Sequence, residues 1–351
     1  MELNTRQKRI LVYISQNNSV QNRQIQQFLE ESEHEPISRI TVIRTLETLL
    51  EIGLIRKEGA GRSVHYVPTV VHPLLRYFDV EKYFSFGPDE RTLNFQNFRF
   101  EIFEKLSGLL NTEEVQRCDE LNTIYRKKKE ASSPTLRKKE LERVTIELSW
   151  KSSQIEGNTY SLIDTEVLLK ESKEAPGHKK EEAIMILNHK KAFEFILSQP
   201  EHFKTLSLSD IEAIHALLIS DLGVATGMRA KTVGITGTRY RPLDNQHQVR
   251  EAMEKMVAVI NAETVPIVKA LIASLLIAYI QPFEDGNKRT SRLLANALLL
   301  AHDYCPLSFR GIDEAEYKKA VILFYEQNGA QYFKELFLEQ FDFAVEHAFE
   351  G

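Results

Sequence analysis

Residues 281–292, QPFEDGNKRTSR, contain side chains whose types and spacing suit the binding of a charged ligand. Apolar runs of helical length and spacing flank the stretch at 267–280 and 293–301, so it is predicted to be a loop that opens a helix. Gly286 allows the backbone to turn, and Asn287 is a good N-cap for the second helix. The free amides of the first helical turn would then face whatever lies in front of the loop.

The charged residues of this loop indicate which ligand that is. Asp285 offers a carboxylate to Mg2+, an ion that proteins usually bind through one or two carboxylates together with phosphate oxygens. Arg289 and Arg292 are three residues apart and lie on the same side of the predicted helix. A carboxylate, an amide-lined nest and two guanidinium groups together predict a magnesium–polyphosphate ligand.

The same stretch resembles the signature of the Fic-domain family, H-x-F-x-[DE]-G-N-G-R-x-x-R. The positions that match in order and spacing are Pro282, Phe283, Asp285, Gly286, Asn287, Arg289 and Arg292. Two positions differ, because Gln281 stands where the family has its histidine and Lys288 stands where it has its second glycine. The resemblance implies a protein that transfers AMP from ATP, or more rarely another phosphate-bearing group, to a hydroxyl of a target protein with the help of Mg2+.

The resemblance also implies a role for each residue of the loop. Catalysis would involve Gln281, at the position of the family histidine, together with Asn287 and Lys288. Nucleotide binding would involve Asp285 with its Mg2+, Gly286, Asn287, Lys288, Arg289 and Arg292. The family histidine takes the proton from the target hydroxyl, which a carboxamide cannot do near neutral pH. Its replacement by glutamine typically costs about two to four orders of magnitude in rate, so transferase chemistry is predicted to be impaired.

Lys288 indicates a different chemistry from the rest of the loop. The Doc branch of the family carries lysine at this position and phosphorylates its targets. A glycine leaves the amide nest open, whereas a lysine side chain partly fills it and adds a charge. Because Arg292 belongs to the adenylylating pattern, the sequence leaves the transferred group open between AMP and phosphate.

Residues 152–158, SSQIEGN, resemble a second pattern of the family, [ST]-x-x-x-E-[GN], which runs here from Ser152 to Gly157. In one subclass of the family this pattern lies on an inhibitory helix upstream of the core. The resemblance implies that Glu156 pairs with Arg292 and takes the place of the γ-phosphate, so that a bound triphosphate is misaligned for in-line attack. Without the resemblance, Glu156 would be a helix-terminal residue in a surface ion pair, which contributes little.

Residues 231–242 interrupt the helical pattern with β-rich, glycine-containing sequence and predict a β-hairpin. The family has a flap at this place, which implies that four residues lie over the nucleotide: Ile235, Thr236, Gly237 and Thr238. An open strand edge there would align a target segment by β-augmentation. Tyr317 falls where related proteins often carry a tyrosine pair near the base, and Tyr325 falls where many have asparagine.

Residues 1–69 predict three helices followed by a strand, a tight turn and a second strand. This order resembles the winged helix-turn-helix fold, whose recognition helix would begin here at Ser38. The DNA-binding candidates are Arg39, Thr41 and Arg44 on that helix and Arg62 at the tip of the wing. The region has nine basic residues against eight acidic ones, and this net charge of +1 is low for a DNA-binding domain. A protein-interaction or dimerisation module is the alternative, so DNA and a homodimer both stay open.

Composition limits the compartment. The chain has 351 residues, 42% hydrophobic and 27% charged, which is typical of soluble globular proteins. Its longest apolar run is too short for a membrane span, and its first ten residues lack a signal-peptide core. Cys118 and Cys305 predict no disulfide framework. We therefore expect a cytoplasmic protein without a membrane partner.

The predicted fold class is mainly α, with three parts. Residues 1–69 would be a winged-helix domain, 70–134 an aromatic-rich connector, and 135–351 an all-helical Fic domain with an inhibitory helix and a small β-hairpin flap. The predicted function is that of a Fic-type nucleotide-binding protein of the AMP-transferase lineage, self-inhibited by Glu156 and impaired by Gln281. The alternatives are a transcriptional regulator whose Fic core senses nucleotide, and a Doc-like protein phosphotransferase.

Overall fold

The computed structural model describes residues 3–17, 19–69 and 72–350, and within these ranges the chain is mainly helical, as predicted. The α-helices are α1 (Thr5–Asn17), α2 (Asn22–Glu33), α3 (Arg39–Glu51), α4 (Val80–Phe84), α5 (Thr112–Ala131), α6 (Pro134–Ile155), α7 (Leu162–Glu171), α8 (Lys180–Ser198), α9 (Leu208–Ile219), α10 (Gln246–Ala262), α11 (Pro266–Ile280), α12 (Asn287–Ala301), α13 (Glu314–Gln327) and α14 (Gln331–Glu346). Short 3-10 helices cover Gly61–Ser63, Phe100–Lys105 and Pro200–Lys204, and the strands are β1 (Ile55–Glu58) and β2 (His65–Pro68). No helix of the described ranges combines the length and the apolar character needed to cross a membrane.

The first three helices and the hairpin of β1 and β2 surround a small apolar core of their own. The strands pair antiparallel, with Ile55 opposite Pro68. The core side chains recur at helical spacing and are Ile10, Leu11, Ile14, Ile25, Leu29, Val42, Leu46 and Leu49. Ser38 caps α3 by accepting a hydrogen bond from the amide of Thr41. These elements lie where the sequence predicts them, and the winged-helix assignment stays a prediction.

The aromatic residues that follow the hairpin pack onto the main helical core. Phe98 is buried, and its ring centroid lies 4.8 Å from that of Tyr279 in α11. The amides of Asn94 and Phe95 both donate to the carbonyl of Glu326 in α13, each at 3.0 Å. Ring burial and backbone bonds thus attach this part of the connector to the helices that carry the site.

A deeply buried pair of helices, α11 and α12, positions the loop between them. α11 is buried along its whole length from Ile267, and α12 buries all but a few of its side chains, so neither helix shifts without repacking the core. The turn begins at Gln281, whose φ of 53° is left-handed, and it ends at Gly286 with a φ of 81°. The prediction that Asn287 is the N-cap is wrong. Gly286 takes that position, because the Asn287 side chain is bonded back to the loop.

Residues 231–242 do not form the predicted β-hairpin. They run extended with a turn that includes Gly237, and among the described residues they belong to no strand pair of their own. Their backbone bonds reach the connector instead. The Arg241 amide donates to the Gln96 carbonyl at 2.7 Å, and the Phe98 amide donates to the Arg241 carbonyl at 3.2 Å. The prediction failed because the pairing partner lies far upstream, where local sequence pattern gives no sign of it.

Candidate active site

Two side chains fix the backbone of the loop between α11 and α12. Asn287 Oδ1 accepts a hydrogen bond from the Phe283 amide, and Asn287 Nδ2 donates to the Phe283 carbonyl, both at 2.9 Å. The Arg229 amide donates to the Pro282 carbonyl at 2.9 Å, and Arg229 Nε donates to the Gln281 carbonyl at 2.6 Å. These bonds satisfy the polar backbone of a buried loop and hold its shape.

Gln281 is buried in this loop, and its amide is bonded at both ends. Its Oε1 accepts from Asn287 Nδ2 at 2.9 Å. Its Nε2 donates to the Ala278 carbonyl at 2.6 Å and to the Tyr325 hydroxyl at 3.4 Å. A carboxamide takes up no proton near neutral pH, so position 281 offers orienting hydrogen bonds and no general base.

Asp285 and Arg289 form a 2.8 Å ion pair at the start of α12. The carboxylate side chain is 62% exposed, whereas the guanidinium side chain is only 2% exposed. Arg289 Nε and Nη1 find no hydrogen-bond partner within the described ranges. Because buried guanidinium donors are normally satisfied, these two indicate a place for an anion or for ordered water.

Asp285 also suits the Mg2+ that a polyphosphate carries. The described residues contain no group of three or more His, Cys, Asp or Glu side chains that could hold a metal ion unaided. Mg2+ does not require such a cage, because it usually keeps several waters and binds one or two carboxylates plus the phosphates of its ligand. The exposed Asp285 carboxylate lies beside Arg289, which has two N–H groups that are unpaired within the described residues. This pair therefore suits a Mg2+ ion that is already bound to a phosphate ligand.

The structure places Glu156 against two cations of α12. Glu156 caps the C-terminus of α6, and its Oε1 accepts from Arg292 Nη2 while its Oε2 accepts from Lys288 Nζ, both at 2.9 Å. Ser152 lies one turn earlier on α6 and accepts from Arg292 through its hydroxyl and its carbonyl, again at 2.9 Å. Gly157, with a φ of 97°, then turns the chain away from the helix. The predicted contact between Glu156 and Arg292 is thus made, with Lys288 as an additional partner.

These cations determine the charge of Glu156. Burial alone would raise the pKa of this carboxyl, but the charges of Arg292 and Lys288, and hydrogen bonds from both, outweigh burial and lower the pKa to about 2. Glu156 is therefore ionised at neutral pH. An ionised carboxylate between two cations is the arrangement that a phosphate group would also adopt.

The segment predicted to cover a nucleotide is tied to α13. The Gly237 carbonyl accepts from Arg91 Nη2 at 2.5 Å, and Thr238 Oγ1 donates to Glu326 Oε1 at 2.6 Å. Glu326 and Arg91 form a two-pronged buried ion pair, with both N–O distances at 2.9 Å. Of the other two flap candidates, Ile235 packs against the main core and Thr236 is exposed.

Both tyrosines of the predicted base pocket are buried. Tyr325 stacks on Tyr240 with ring centroids 5.2 Å apart, and its hydroxyl meets Gln281. Tyr317 packs against Phe333, and the guanidinium of Arg292 lies 5.3 Å from its ring centroid. The Tyr325 ring therefore supports Gln281, and the Tyr317 ring supports the pair of Glu156 and Arg292.

His215 in α9 supports the loop from behind, and no sequence pattern indicated this role. Its ring stacks on that of Phe283 with centroids 3.6 Å apart, and its Nε2 lies 3.0 Å from the Asp285 carbonyl. Burial lowers the pKa of His215 to about 4, so the ring is neutral at pH 7. A Cβ added to Gly286 would come within 3.5 Å of this ring and within 3.3 Å of Ile219. Close approach, as well as positive φ, therefore requires glycine in the loop.

The DNA-binding candidates lie apart from this site, on the N-terminal unit. Arg39 and Arg44 are exposed on α3, and Thr41 is half-buried. The Thr41 hydroxyl hydrogen-bonds that of Ser38 at 2.9 Å. The side chain of Arg62 falls outside the described part of the chain.

The comparisons with known proteins agree with this geometry. The model of the family described as "Fic/DOC family" matches residues 205–299. Protein adenylyltransferase fic-1 of Caenorhabditis elegans is 29% identical over 170 residues, which cover 46% of this chain and 33% of that protein. Protein adenylyltransferase Fic of Culex quinquefasciatus is 31% identical over 170 residues, with the same two coverages. The chain thus matches about a third of the length of these relatives.

Solved structures show the same fold. Residues 134–508 of Fic-1 from C. elegans give a TM-score of 0.56 at 21% identity, covering 67% of this chain and 70% of that one. A Fic domain containing signaling protein from Bacteroides thetaiotaomicron gives a TM-score of 0.57 at 19% identity, covering 68% of this chain and 97% of that one. At these identities the similarity establishes the helical fold alone.

Proposed function

The chain carries a Fic/DOC family domain at residues 205–299, and on that premise we propose that it binds Mg–ATP as a self-inhibited member of the protein adenylyltransferase lineage. Glu156 holds the place of the terminal phosphate in this proposal. Gln281 limits transfer of AMP to a hydroxyl of a target protein. The activity of the relatives is carried over here as a proposal, because the match spans about a third of their length.

One observation carries the proposal: a carboxylate from α6 is paired with cations of the loop helix. Arg292 is fully buried, is held by Ser152 and pairs with Glu156. Beside it, Arg289 keeps two buried donors without a partner in the described ranges. A polyphosphate that enters this site would meet the free donors of Arg289 but would find the Glu156 carboxylate on Arg292 Nη2. Binding and misalignment are thus both supported by the same few residues.

Transfer would be slow because Gln281 cannot accept the proton of the target hydroxyl. In AMP transfer the target hydroxyl oxygen forms a bond to the α-phosphorus. The bond between the α-phosphorus and the oxygen that bridges to the β-phosphorus breaks, and pyrophosphate leaves with the electron pair of that bond. The hydroxyl proton needs an acceptor, and both ends of the Gln281 amide are already bonded. Asn287, which bonds Gln281 and fixes the loop, would position the reacting groups. Bound Mg2+ at Asp285 would neutralise phosphate charge.

Phosphate transfer is the competing chemistry at the same site. Lys288 supports it by the resemblance to the Doc branch, while Glu156 and Arg292 support the adenylylating arrangement. Here the Lys288 side chain runs to the carboxylate of Glu156. ATP labelled separately at the α- and γ-positions distinguishes the two reactions.

Calorimetry of the full chain with Mg–ATP tests the binding proposal. We expect measurable binding in the native chain and tighter binding by Glu156→Gly, because the terminal phosphate no longer competes with a carboxylate. Arg289→Ala in the same background should weaken binding by roughly 1.5–3 kcal/mol, as expected for lost charge-assisted bonds. Arg250→Ala removes an exposed arginine of α10 and serves as a comparison. No heat and no thermal shift with ATP or ADP in any variant would contradict the proposal.

A second candidate function rests on the exposed arginines of α3. Arg39 lines a groove of about 490 Å³ together with Arg23 of α2 and Lys57 of the hairpin. Three basic side chains against one acidic one, Glu47, around a groove next to α3 favour contact with phosphate, which supports DNA binding by this unit. Retardation of the protein's own promoter fragment, with and without ATP, tests this function. Arg39→Ala combined with Arg44→Ala should abolish a specific shift.

A further inference from the structure

Lys288 and Arg292 form what we call the two-cation seat, the pair of positive groups that enclose the Glu156 carboxylate. Both belong to α12 and are four residues apart, so they project from the same face of that helix. Each takes one carboxylate oxygen, Arg292 Nη2 on Oε1 and Lys288 Nζ on Oε2, at 2.9 Å. A single carboxylate thus shares its charge between two separate cations.

The charges of this seat are unequal. Lys288 and Arg292 carry two positive charges against the single negative charge of Glu156. Ser152 contributes only neutral acceptors, its hydroxyl and its carbonyl. A terminal phosphate carries close to two negative charges near neutral pH, because its second pKa is about 6. Such a group matches the charge of the seat better than a carboxylate does, and better than an internal phosphate with one charge.

The two cations differ in their freedom. Arg292 is completely buried and has two bonds to Ser152 that do not involve Glu156. The Lys288 side chain is 27% exposed, and within the described residues its ion-pair partner is Glu156. Removal of Glu156 therefore leaves a fixed guanidinium and a flexible ammonium group around one position. A flexible lysine adapts to a phosphate as a point charge, without the fixed geometry that a guanidinium requires.

We propose that Lys288 is a specificity-determining residue that binds the terminal phosphate of a nucleoside triphosphate once Glu156 has left the two-cation seat. This proposal rests on the proposed function, since it takes Glu156 to hold the place of that phosphate. Lys288 thus has two partners in turn: it fastens Glu156 in the closed state and selects for a dianionic terminal group in the open state. A diphosphate, whose last phosphate does not reach the seat, gains little from Lys288.

The test removes the lysine charge in two backgrounds. Lys288→Met is made in the native chain and in the Glu156→Gly variant, and the Kd values for Mg–ATP and Mg–ADP are measured by calorimetry. In the Glu156→Gly background we expect Lys288→Met to weaken ATP binding about tenfold and ADP binding less than about twofold. In the native chain the same change should have a smaller effect on ATP, because a looser Glu156 offsets the lost phosphate contact.

Two further variants keep the result specific. Lys288→Arg retains the positive charge and should bind ATP within about threefold of the Glu156→Gly parent. Lys255→Met removes an equally charged side chain that is 49% exposed and pairs with Glu251 of its own helix, α10. It should leave both affinities unchanged. Thermal unfolding of every variant checks that the fold is kept.

Three outcomes would overturn the proposal, and they differ from one another. Equal ATP affinities of Glu156→Gly with and without Lys288→Met would restrict Lys288 to fastening Glu156 and leave the proposed function intact. An equal loss for ATP and ADP would place Lys288 at an internal phosphate. Absence of ATP binding by the Glu156→Gly variant itself would overturn the proposed function together with this inference.

Discussion

Two glutamates, Glu156 and Glu326, each pair with a buried arginine, yet their surroundings differ. Glu326 has no exposed side-chain surface. Its three side-chain partners come from two segments: Arg91 and, at 2.6 Å, Tyr83 lie in the connector, and Thr238, also at 2.6 Å, lies in 231–242. A carboxylate enclosed in this way is part of the framework, because every partner would lose a bond if it left.

Glu156 lies in a more open place. Its side chain is 17% exposed, and both of its cations, Arg292 and Lys288, belong to one helix. Arg292 also has two bonds to Ser152 that do not depend on Glu156. The comparison indicates that a ligand can displace the glutamate of such a pair when the arginine has other partners and the glutamate side chain is partly exposed. The same pair is structural when neither condition holds.

The largest expected effect tests whether Glu156 is the replaceable one. Gln281→His restores a proton acceptor, and Glu156→Gly frees the place of the terminal phosphate. Because both changes act on one transition state, the double variant should exceed the sum of the single gains, and the base alone contributes about two to four orders of magnitude. Transfer of label from ATP onto protein, in self-modification and lysate assays, measures it.

A matched variant makes this test specific to Glu156. Glu326→Gln with Gln281→His alters the framework glutamate and should give no gain over Gln281→His alone. Label arriving from the α-position assigns adenylylation, and label from the γ-position assigns phosphate transfer. A silent double variant that still binds nucleotide would favour the sensor function over the enzyme.

The next effect concerns the free energy of unfolding. Here substitution of Glu326 should have a larger effect than substitution of Glu156, the opposite of the order expected for activity. Glu326→Ala leaves Arg91 buried without its carboxylate, which typically costs about 3–5 kcal/mol. Glu156→Ala should cost less, about 1–2 kcal/mol, because Arg292 retains Ser152 as a partner. Urea unfolding monitored by circular dichroism gives both values, provided that the slope with denaturant is unchanged. Equal costs for the two substitutions would contradict the comparison.

The smallest effect is a dependence on pH. The pKa of Glu156 is held at about 2, below its ordinary value of 4.5, so its contribution to stability is complete above the ordinary value and is lost as pH falls toward 2. The native chain should therefore exceed Glu156→Gln in free energy of unfolding by a constant amount from pH 8 to about pH 6. That advantage should shrink between about pH 5 and pH 2. Urea midpoints at several pH values measure it, and an advantage that fell as pH rose would contradict the assigned charge.

The sequence predicted the local parts of the site better than the distant ones. The loop between two apolar helices and the contact of Glu156 with Arg292 were both expected, the first from helical spacing and the second from a family pattern. The N-cap at Asn287 was wrong, because that side chain bonds back to Phe283. Helix-capping preference does not reveal which of two backbone partners a side chain takes.

Residues that act across long sequence distances were not predicted. Arg229 and His215 hold the loop from other segments, and no spacing rule connects them to it. The buried pair of Arg91 and Glu326 joins the connector to α13. The missing hairpin at 231–242 has the same cause, since its backbone partners lie in the connector. Local patterns encode helices and turns, whereas such contacts depend on how the whole chain packs.

The bonds that hold the shape of the loop between α11 and α12 are different from the side chain at 281 that decides whether a general base is present. Backbone bonds from Asn287 to Phe283, and from Arg229 to the carbonyls of residues 281 and 282, set the path of the chain without using the side chain at 281. Histidine is among the residues that tolerate the left-handed backbone found there, with its φ of 53°. Codons for glutamine and histidine differ by a single base. Under the proposed function, an exchange of Gln281 for histidine is therefore short in evolutionary terms, since these backbone bonds of the loop do not involve the side chain that changes.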